Sequence, residues 1–325
     1  MVPLLLLASI FVVALVSTGS AQMNNSFLIE APGPAGPLSG TALGTPDNDA
    51  PVVLIVPGSG PTDRNGNNPL GVRAAPYRLI AEGLETHGIR SVRIDKRGMF
   101  GSSRAVPDAN SVVMDDYAAD IHTWVATIRE RMGAACVWVL GHSEGGLSAL
   151  IAARQHPGIC GLLLVSTPGR RLGDILREQI AANPANGPVR DQAESIIAQL
   201  EAGKRVEATA VHPALLPLFR PEVQGFLISA LAIDPARLIA DYRGPVLILQ
   251  GLRDIQVGQA DAERLHRARP DAKLALLPDV NHVLKSVSID DLAANLAAYK
   301  DAERPLANCV VETLAVFIKA QNNDR

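Results

Sequence analysis

The sequence predicts an α/β protein, with a mostly parallel central sheet covered by helices on both faces and a helical segment inserted late in the chain. Three observations carry that prediction. Short apolar runs rich in β-favouring residues alternate four times with helix-period segments between Val52 and Val165. The first of them, Val52–Val56, has no polar interruption, as a strand buried on both faces of a parallel sheet does. Between Thr167 and Arg243 the rhythm breaks, and only helical spacing is found.

In chain order, Ser26–Ala31 and Leu38–Gly44 form a predicted β-hairpin turning through the proline- and glycine-rich residues 32–37. Val52–Val56 is the first sheet-core strand, and it runs into Pro57-Gly58-Ser59-Gly60-Pro61-Thr62-Asp63-Arg64-Asn65-Gly66-Asn67. A loop this rich in glycine lets a backbone amide approach a ligand, and it also suits a plain connection. Pro76–His87 has helical spacing and stops at Gly88; Ile89–Ile94 is the next strand, leading into Asp95-Lys96-Arg97-Gly98. Asp115–Met132 is an amphipathic helix whose stripe of Tyr117, Ile121, Trp124 and Ile128 reads as core. The strand Cys136–Leu140 follows, and Leu162–Val165 is a further buried run.

Leu172–Ala182 and Asp191–Ala202 are predicted helices, followed by a proline-punctuated apolar stretch, Pro213–Leu231, and a short helix opened by Asp234-Pro235. Leu215, Leu216, Leu218, Phe219, Phe226 and Leu227 offer more apolar surface than so small an element is expected to bury in itself. Packing on the sheet domain and lining of an acyl pocket are the two uses weighed for it. The sheet resumes at Val246–Leu249, then a helix over Ala260–Ala268, a strand over Lys273–Leu277 and two closing helices near Ile289–Tyr299 and Leu306–Ala320. The expected organisation is therefore a sheet domain from 22–166 and 245–325, with a helical cap at 167–244.

Composition narrows the function. Of 325 residues 47% are hydrophobic and 19% charged, enough for a sizeable core. A net charge of −3 and the absence of a long basic run argue against nucleic acid as a partner. Residues 1–21 are apolar or small and end in Gly19-Ser20-Ala21, the pattern of a cleaved secretory signal peptide, although no Lys or Arg opens it. An uncleaved anchor is the alternative. Cleavage predicts an exported protein without stable membrane association. Cys136, Cys160 and Cys309 allow one disulfide and one thiol, or no disulfide, and their spacing offers no metal site.

The chemistry concentrates at Gly141-His142-Ser143-Glu144-Gly145, between an apolar strand and an apolar helix. A strand that turns at once into a helix forces the central residue into strained backbone geometry, and glycine two positions to either side removes the resulting collisions. Ser143 is then a candidate nucleophile, and the Glu144 amide can donate to a developing oxyanion. Acyl transfer also needs an imidazole base and a carboxylate to orient it. Asp254 follows one predicted strand and His282 the next, both at the sheet edge of Ser143, in the order Ser, Asp, His. Asp279, three residues before His282, is a rival carboxylate. His142 should point away from the serine hydroxyl and serve packing or hydrogen bonding, and Asp63, Arg64 and Asn67 are expected to brace their loop, with substrate binding the alternative. Structural roles are also expected for His87, His122, His156, His212 and His266.

With GHSEGG at 141–146, GLRD at 251–254 and NH at 281–282, the chain resembles the α/β-hydrolase superfamily over nearly everything after the leader. DKRGMFGSS at 95–103 is similar to that family's Asp-x-Arg-Gly-x-Gly-x-Ser loop with one extra residue, and PGSGPTDRNGN at 57–67 resembles the loop of bacterial esterases described as serine-aminopeptidase-like hydrolases. The resemblance implies an α/β-hydrolase fold and a cofactor-free carboxylic-ester hydrolase acting on small-molecule esters. It implies Ser143 as nucleophile, His282 as base and then acid, Asp254 as orienting carboxylate, and the amides of Glu144 and Ser59 as oxyanion hole. Pro57 stands where the commoner His-Gly-Gly-Gly loop has histidine, which leaves Gly60 as the alternative to Ser59. The sparsely charged Pro213–Leu231 stretch favours short or medium acyl or aryl esters. A peptidase using Glu201, Glu207 or Glu222 to hold a substrate amino terminus, and a non-catalytic binding protein, are the other readings.

Overall fold

The computed structural model describes residues 25–44, 49–155, 158–288 and 291–323. The expected leader at 1–21 and His156 lie outside the described residues. One sheet of eight strands organises the chain: β1 (Ser26–Ala31), β2 (Leu38–Leu43), β3 (Val52–Val56), β4 (Arg90–Ile94), β5 (Val137–His142), β6 (Ile159–Val165), β7 (Val246–Gly251) and β8 (Lys273–Leu277). Its spatial order is β1-β2-β4-β3-β5-β6-β7-β8. β1 and β2 form the antiparallel hairpin and β2 pairs antiparallel with β4, whereas all pairings from β4 across to β8 are parallel. This is the α/β-hydrolase fold.

The helices are α1 (Pro76–Thr86), α2 (Met114–Met132), α3 (Glu144–Ala152), α4 (Leu172–Ala182), α5 (Arg190–Glu201), α6 (Leu216–Phe219), α7 (Pro221–Leu231), α8 (Pro235–Asp241), α9 (Gln259–Ala268), α10 (Leu292–Lys300) and α11 (Asn308–Asn323). β3, β4 and β5 are buried at every position, so each must be covered on both sides. On one face Ile121 and Trp124 of α2, Leu150 of α3, Ile239 of α8 and Leu265 of α9 close a core with Leu54 and Val139. On the other, Ile80 and Leu84 of α1 and Val310 and Leu314 of α11 pack on Ile55 and Leu140.

Strand order reverses between β3 and β5: the chain leaves β3 towards β4 and returns to build the other side from β5 onward. In open parallel sheets a ligand crevice lies at the carboxyl ends of the strands flanking such a reversal. The loop after β3 and Ser143 after β5 occupy those two ends.

Between β6 and β7 the chain forms α4 to α8 and no strand. Sequence reasoning sought the partners of its apolar stretch in the sheet domain or in a substrate pocket; the structure corrects this in part. Leu215, Phe219 and Leu227 are buried in a core that the segment makes for itself with Leu176 of α4 and Ile196, Ile197 and Leu200 of α5. Two amphipathic helices beside α7 suffice to enclose these side chains. Phe226 does reach the sheet domain, where it meets Tyr117 edge-on with ring centroids 6.1 Å apart. The Ser229 hydroxyl also accepts the Met114 amide at the start of α2. Among the described residues no single helix is long and apolar enough to cross a membrane.

Candidate active site

Ser143 joins β5 to α3 at φ 54° and ψ −123°, a left-handed region that is strained for a residue with a side chain. Two glycines make the turn feasible. A Cβ on Gly141 would fall 2.4 Å from the Gly145 carbonyl oxygen, and one on Gly145 would fall 2.4 Å from that of Val56. The Ser143 amide donates to the Val165 carbonyl at 2.9 Å, tying the turn to the end of β6.

His282 lies beyond β8 and Asp254 beyond β7. His282 Nδ1 is 2.8 Å from Asp254 Oδ2, and the Asp254 side chain is fully buried. Asp254 Oδ1 accepts the amides of Gln256 and Val257 at 2.8 and 2.9 Å. Burial by itself pushes this carboxyl up, but the His282 charge, its hydrogen bond and the two amides outweigh burial and hold the group below its ordinary range. Asp279 is over half exposed and stands 3.9 Å from Arg253, apart from the histidine.

Ser143 and His282 line one small cavity of about 80 Å³, with Ser59, Tyr77, Gln256 and Tyr299 on its walls. The Ser143 hydroxyl makes no hydrogen bond among the described residues, and a serine–imidazole hydrogen bond of this kind often forms only when substrate binds. Three larger surface hollows of about 610 to 890 Å³ lie elsewhere on the molecule and include neither Ser143 nor His282. The strained serine and the paired imidazole identify the smaller cavity as the chemically equipped one.

The loop after β3 presses against the serine, since a Cβ on Gly58 would fall 3.2 Å from that of Ser143. Its shape is held from within. Asp63 Oδ1 accepts the amides of Asn65 and Asn67, Asn67 Oδ1 accepts that of Ala75, and Arg64 pairs with the buried Asp95. The amides of Ser59 and of Glu144, at the start of α3, donate to no other group among the described residues. A serine, an imidazole braced by a buried carboxylate, and two unspent amides nearby can perform nucleophilic acyl transfer.

Tyr77, Lys96, Gln256 and Tyr299 were given no role of their own by sequence reasoning. Tyr77 and Lys96 lie within predicted elements or motifs, and only their apposition to Gly58 marks them. His142 accepts from the Tyr77 hydroxyl at Nδ1 (2.9 Å) and donates from Nε2 to the His282 carbonyl (2.9 Å). Burial, then the neighbouring His282 charge, pushes its pKa down to about 3. His212 caps a short turn through the Ala214 amide, and His122 bonds the Ala152 carbonyl. Of the cap carboxylates considered, Glu201 is engaged by Arg177 at 2.7 Å, and none of Glu201, Glu207 and Glu222 lines the cavity.

Comparison with known proteins agrees with this architecture. The family model Hydrolase_4, described as serine aminopeptidase, S33, matches residues 70–285, a span that holds Ser143, Asp254 and His282 and begins after the loop at 57–67. The chain is 28% identical over 243 residues to esterase EstD of Thermotoga maritima, covering 73% of this chain and 55% of that protein, so it spans about half the relative's length. It is 31% identical over 164 residues to a pimeloyl-[acyl-carrier protein] methyl ester esterase of Aromatoleum aromaticum, covering 44% of this chain and 66% of that one. Among solved structures, an esterase of Pyrococcus furiosus superposes with a TM-score of 0.59 at 17% identity, covering 92% of this chain and 91% of that chain. A thermophilic esterase of Thermogutta terrifontis gives 0.54 at 20% identity over 91% and 99%. The chain belongs to the Hydrolase_4 family, described as serine aminopeptidase, S33, of the α/β-hydrolase superfamily.

Proposed function

We propose that this protein is a serine hydrolase of carboxylic esters. The observation that carries the reading is the strained Ser143 sharing one cavity with His282, whose ring is held by the buried Asp254. Ser143 Oγ attacks the ester carbonyl as His282 Nε2 takes its proton. The amides of Ser59 and Glu144 receive the oxyanion, and the proton passes from His282 to the leaving alcohol. Water then repeats the steps on the acyl-enzyme. Asp254 fixes the tautomer that presents Nε2 to the serine and stabilises the imidazolium.

Ester rather than peptide substrates are supported by the cavity lining, which among the described residues contains no carboxylate to hold a substrate ammonium group. The esterases named above support the same choice. A cavity of about 80 Å³ favours a short acyl or alkyl portion on its side of the scissile bond. The disulfide between Cys136 and Cys160 supports an exported protein, because such bonds persist in oxidising compartments. In this reading the segment 167–244 is a lid over the catalytic domain.

The test is hydrolysis of a nitrophenyl ester series from acetate to palmitate beside an aminoacyl nitroanilide, with Ser143→Ala as control. Short esters should turn over in the native protein and not in the variant. Faster nitroanilide cleavage would replace the reading with a peptidase, and native protein no better than Ser143→Ala on every substrate would replace it with a binding protein.

A further inference from the structure

Lys96 lies two residues beyond β4, far in sequence from every residue of the proposed triad, yet its side chain is almost completely buried, 4% exposed. Nζ donates to the Gly58 carbonyl at 2.7 Å and to Glu144 Oε1 at 3.2 Å. It also stands 5.0 Å from the centre of the Tyr117 ring, within cation–π range. An ammonium has three hydrogens, and two hydrogen bonds and one ring face use all three. Lys96 is therefore fully engaged by its own neighbours.

Its two oxygen partners share a property. One belongs to the peptide unit whose nitrogen is that of Ser59, and the other belongs to Glu144. These are the two residues whose amides, unspent among the described residues, are proposed to receive the oxyanion. In a trans peptide the carbonyl and the following N–H lie in one plane and point in opposite directions. A carbonyl of Gly58 drawn to Lys96 thus turns the Ser59 N–H away from Lys96, towards the cavity that Ser59 shares with Ser143. The other end of the Gly58 residue is held as well, because its own N–H donates to the Tyr77 hydroxyl at 3.0 Å. Lys96 itself is aimed by its neighbour Asp95, whose amide donates to the Ser39 carbonyl and whose carboxylate accepts the Arg64 and Gly101 amides.

We infer that Lys96 is the positioning residue of the oxyanion hole: one buried ammonium sets the direction of the Ser59 amide through the shared peptide plane and ties that loop to Glu144. Its positive charge, screened from water, also favours negative charge developing on the far side of the same peptide. The inference rests on the proposed role of Ser143.

The experiment compares native protein with Lys96→Met, which keeps side-chain length but lacks donor and charge, and with Lys96→Arg. Two readouts are taken: kcat and KM on nitrophenyl acetate, and affinity for phenylboronic acid, which forms a tetrahedral adduct on a nucleophilic serine without turnover. Loss of one oxyanion donor costs about 100- to 1000-fold in kcat, so a misdirected donor is expected to cost about 10- to 100-fold. Lys96→Met should show that fall in kcat with KM within about threefold, and a parallel fall in boronate affinity. Lys96→Arg should lie between it and the native protein, and it decides the matter if Lys96→Met does not fold. Native kcat and native boronate affinity in the folded variant would overturn the inference while leaving the esterase reading intact. Native protein that binds boronate but hydrolyses no ester would overturn the esterase reading, and the boronate arm would still judge Lys96. Native protein that does neither overturns both.

Discussion

The Tyr77 hydroxyl and His142 Nδ1 lie 2.9 Å apart in the core, and the pair bridges the two loops that flank the candidate nucleophile. The hydroxyl accepts from Gly58 and donates to His142, which in turn donates to the His282 carbonyl. These partners assign His142 as the neutral Nε2–H tautomer. Tyr77→Phe removes the middle of the chain and leaves a buried N–H and a buried ring nitrogen unpaired. The expected loss is about 1–3 kcal/mol of stability, seen as a lower urea midpoint with unchanged slope. A midpoint equal to the native value would show that water replaces the hydroxyl.

The same histidine predicts a pH dependence of stability. Its folded pKa, about 3, lies below the ordinary 6.5, so between these values the unfolded chain binds a proton that the native state refuses. Stability should be level above about pH 6.5 and fall on acidification by up to about 1.4 kcal/mol per pH unit. The contribution of Asp254, whose folded pKa is also depressed, persists to lower pH and is lost only as pH falls through that folded value. Urea titrations from pH 7 to 4 should show the decline. His142→Gln, which keeps a donor and an acceptor without a titrating ring, should flatten it, and an equal slope in the variant would assign the proton elsewhere.

The disulfide closes 24 residues of chain between Cys136 and Cys160, where β5 and β6 begin and thus at the sheet edge opposite Ser143. For a loop of that size the expected stabilisation is about 3 kcal/mol. Chemical denaturation of the Cys136→Ser/Cys160→Ser protein should show this loss, while ester kcat of the folded protein at 25 °C stays native. A fall in kcat would mean that the bond shapes the elbow as well as the strand starts. Cys309 is exposed and should react with a thiol probe in the native protein without denaturant.

Within the segment 167–244, Gln224 is fully buried and knits separate pieces of chain together. Its Oε1 accepts the Val206 amide, and its Nε2 donates to the carbonyls of Val206 and Phe219, each at 2.8 Å. Gln224→Leu orphans these backbone groups. Hydrogen exchange at Val206 should accelerate at least tenfold, while exchange in the β5 core stays unchanged. Uniform acceleration through both regions would show that the segment unfolds only with the sheet.

Much of the fold was legible because its signals are local. Val52–Val56 has no polar residue and is a strand over those same five positions, and Ile121, Trp124 and Ile128 of the α2 stripe pack into one core face while Tyr117 joins a smaller cluster with Leu147 and Phe226. The first glycine of GHSEGG could be read mechanically, since Gly141 answers a collision with Gly145 four residues on, whereas Gly145 and Gly146 answer collisions with Val56 and Thr167, which only the fold brings near. The apolar residues of 215–227 were harder, because periodicity says that a face is buried and not against what. Their partners on α4 and α5 lie too far along the chain for any short pattern to join them.

From the sequence alone came the alternation of strand and helix, the serine turn, and a carboxylate and an imidazole each following a strand. All are consequences of backbone period and turn sterics over a few residues. Tertiary structure alone decided that Cys136 meets Cys160 rather than Cys309, that His142 joins Tyr77 to the His282 loop, and that Lys96 lies between Gly58 and Glu144. These contacts join residues up to 140 positions apart, and their geometry follows from strand order and register. Such order is selected by the packing of the whole sheet, so no local stretch of sequence carries it.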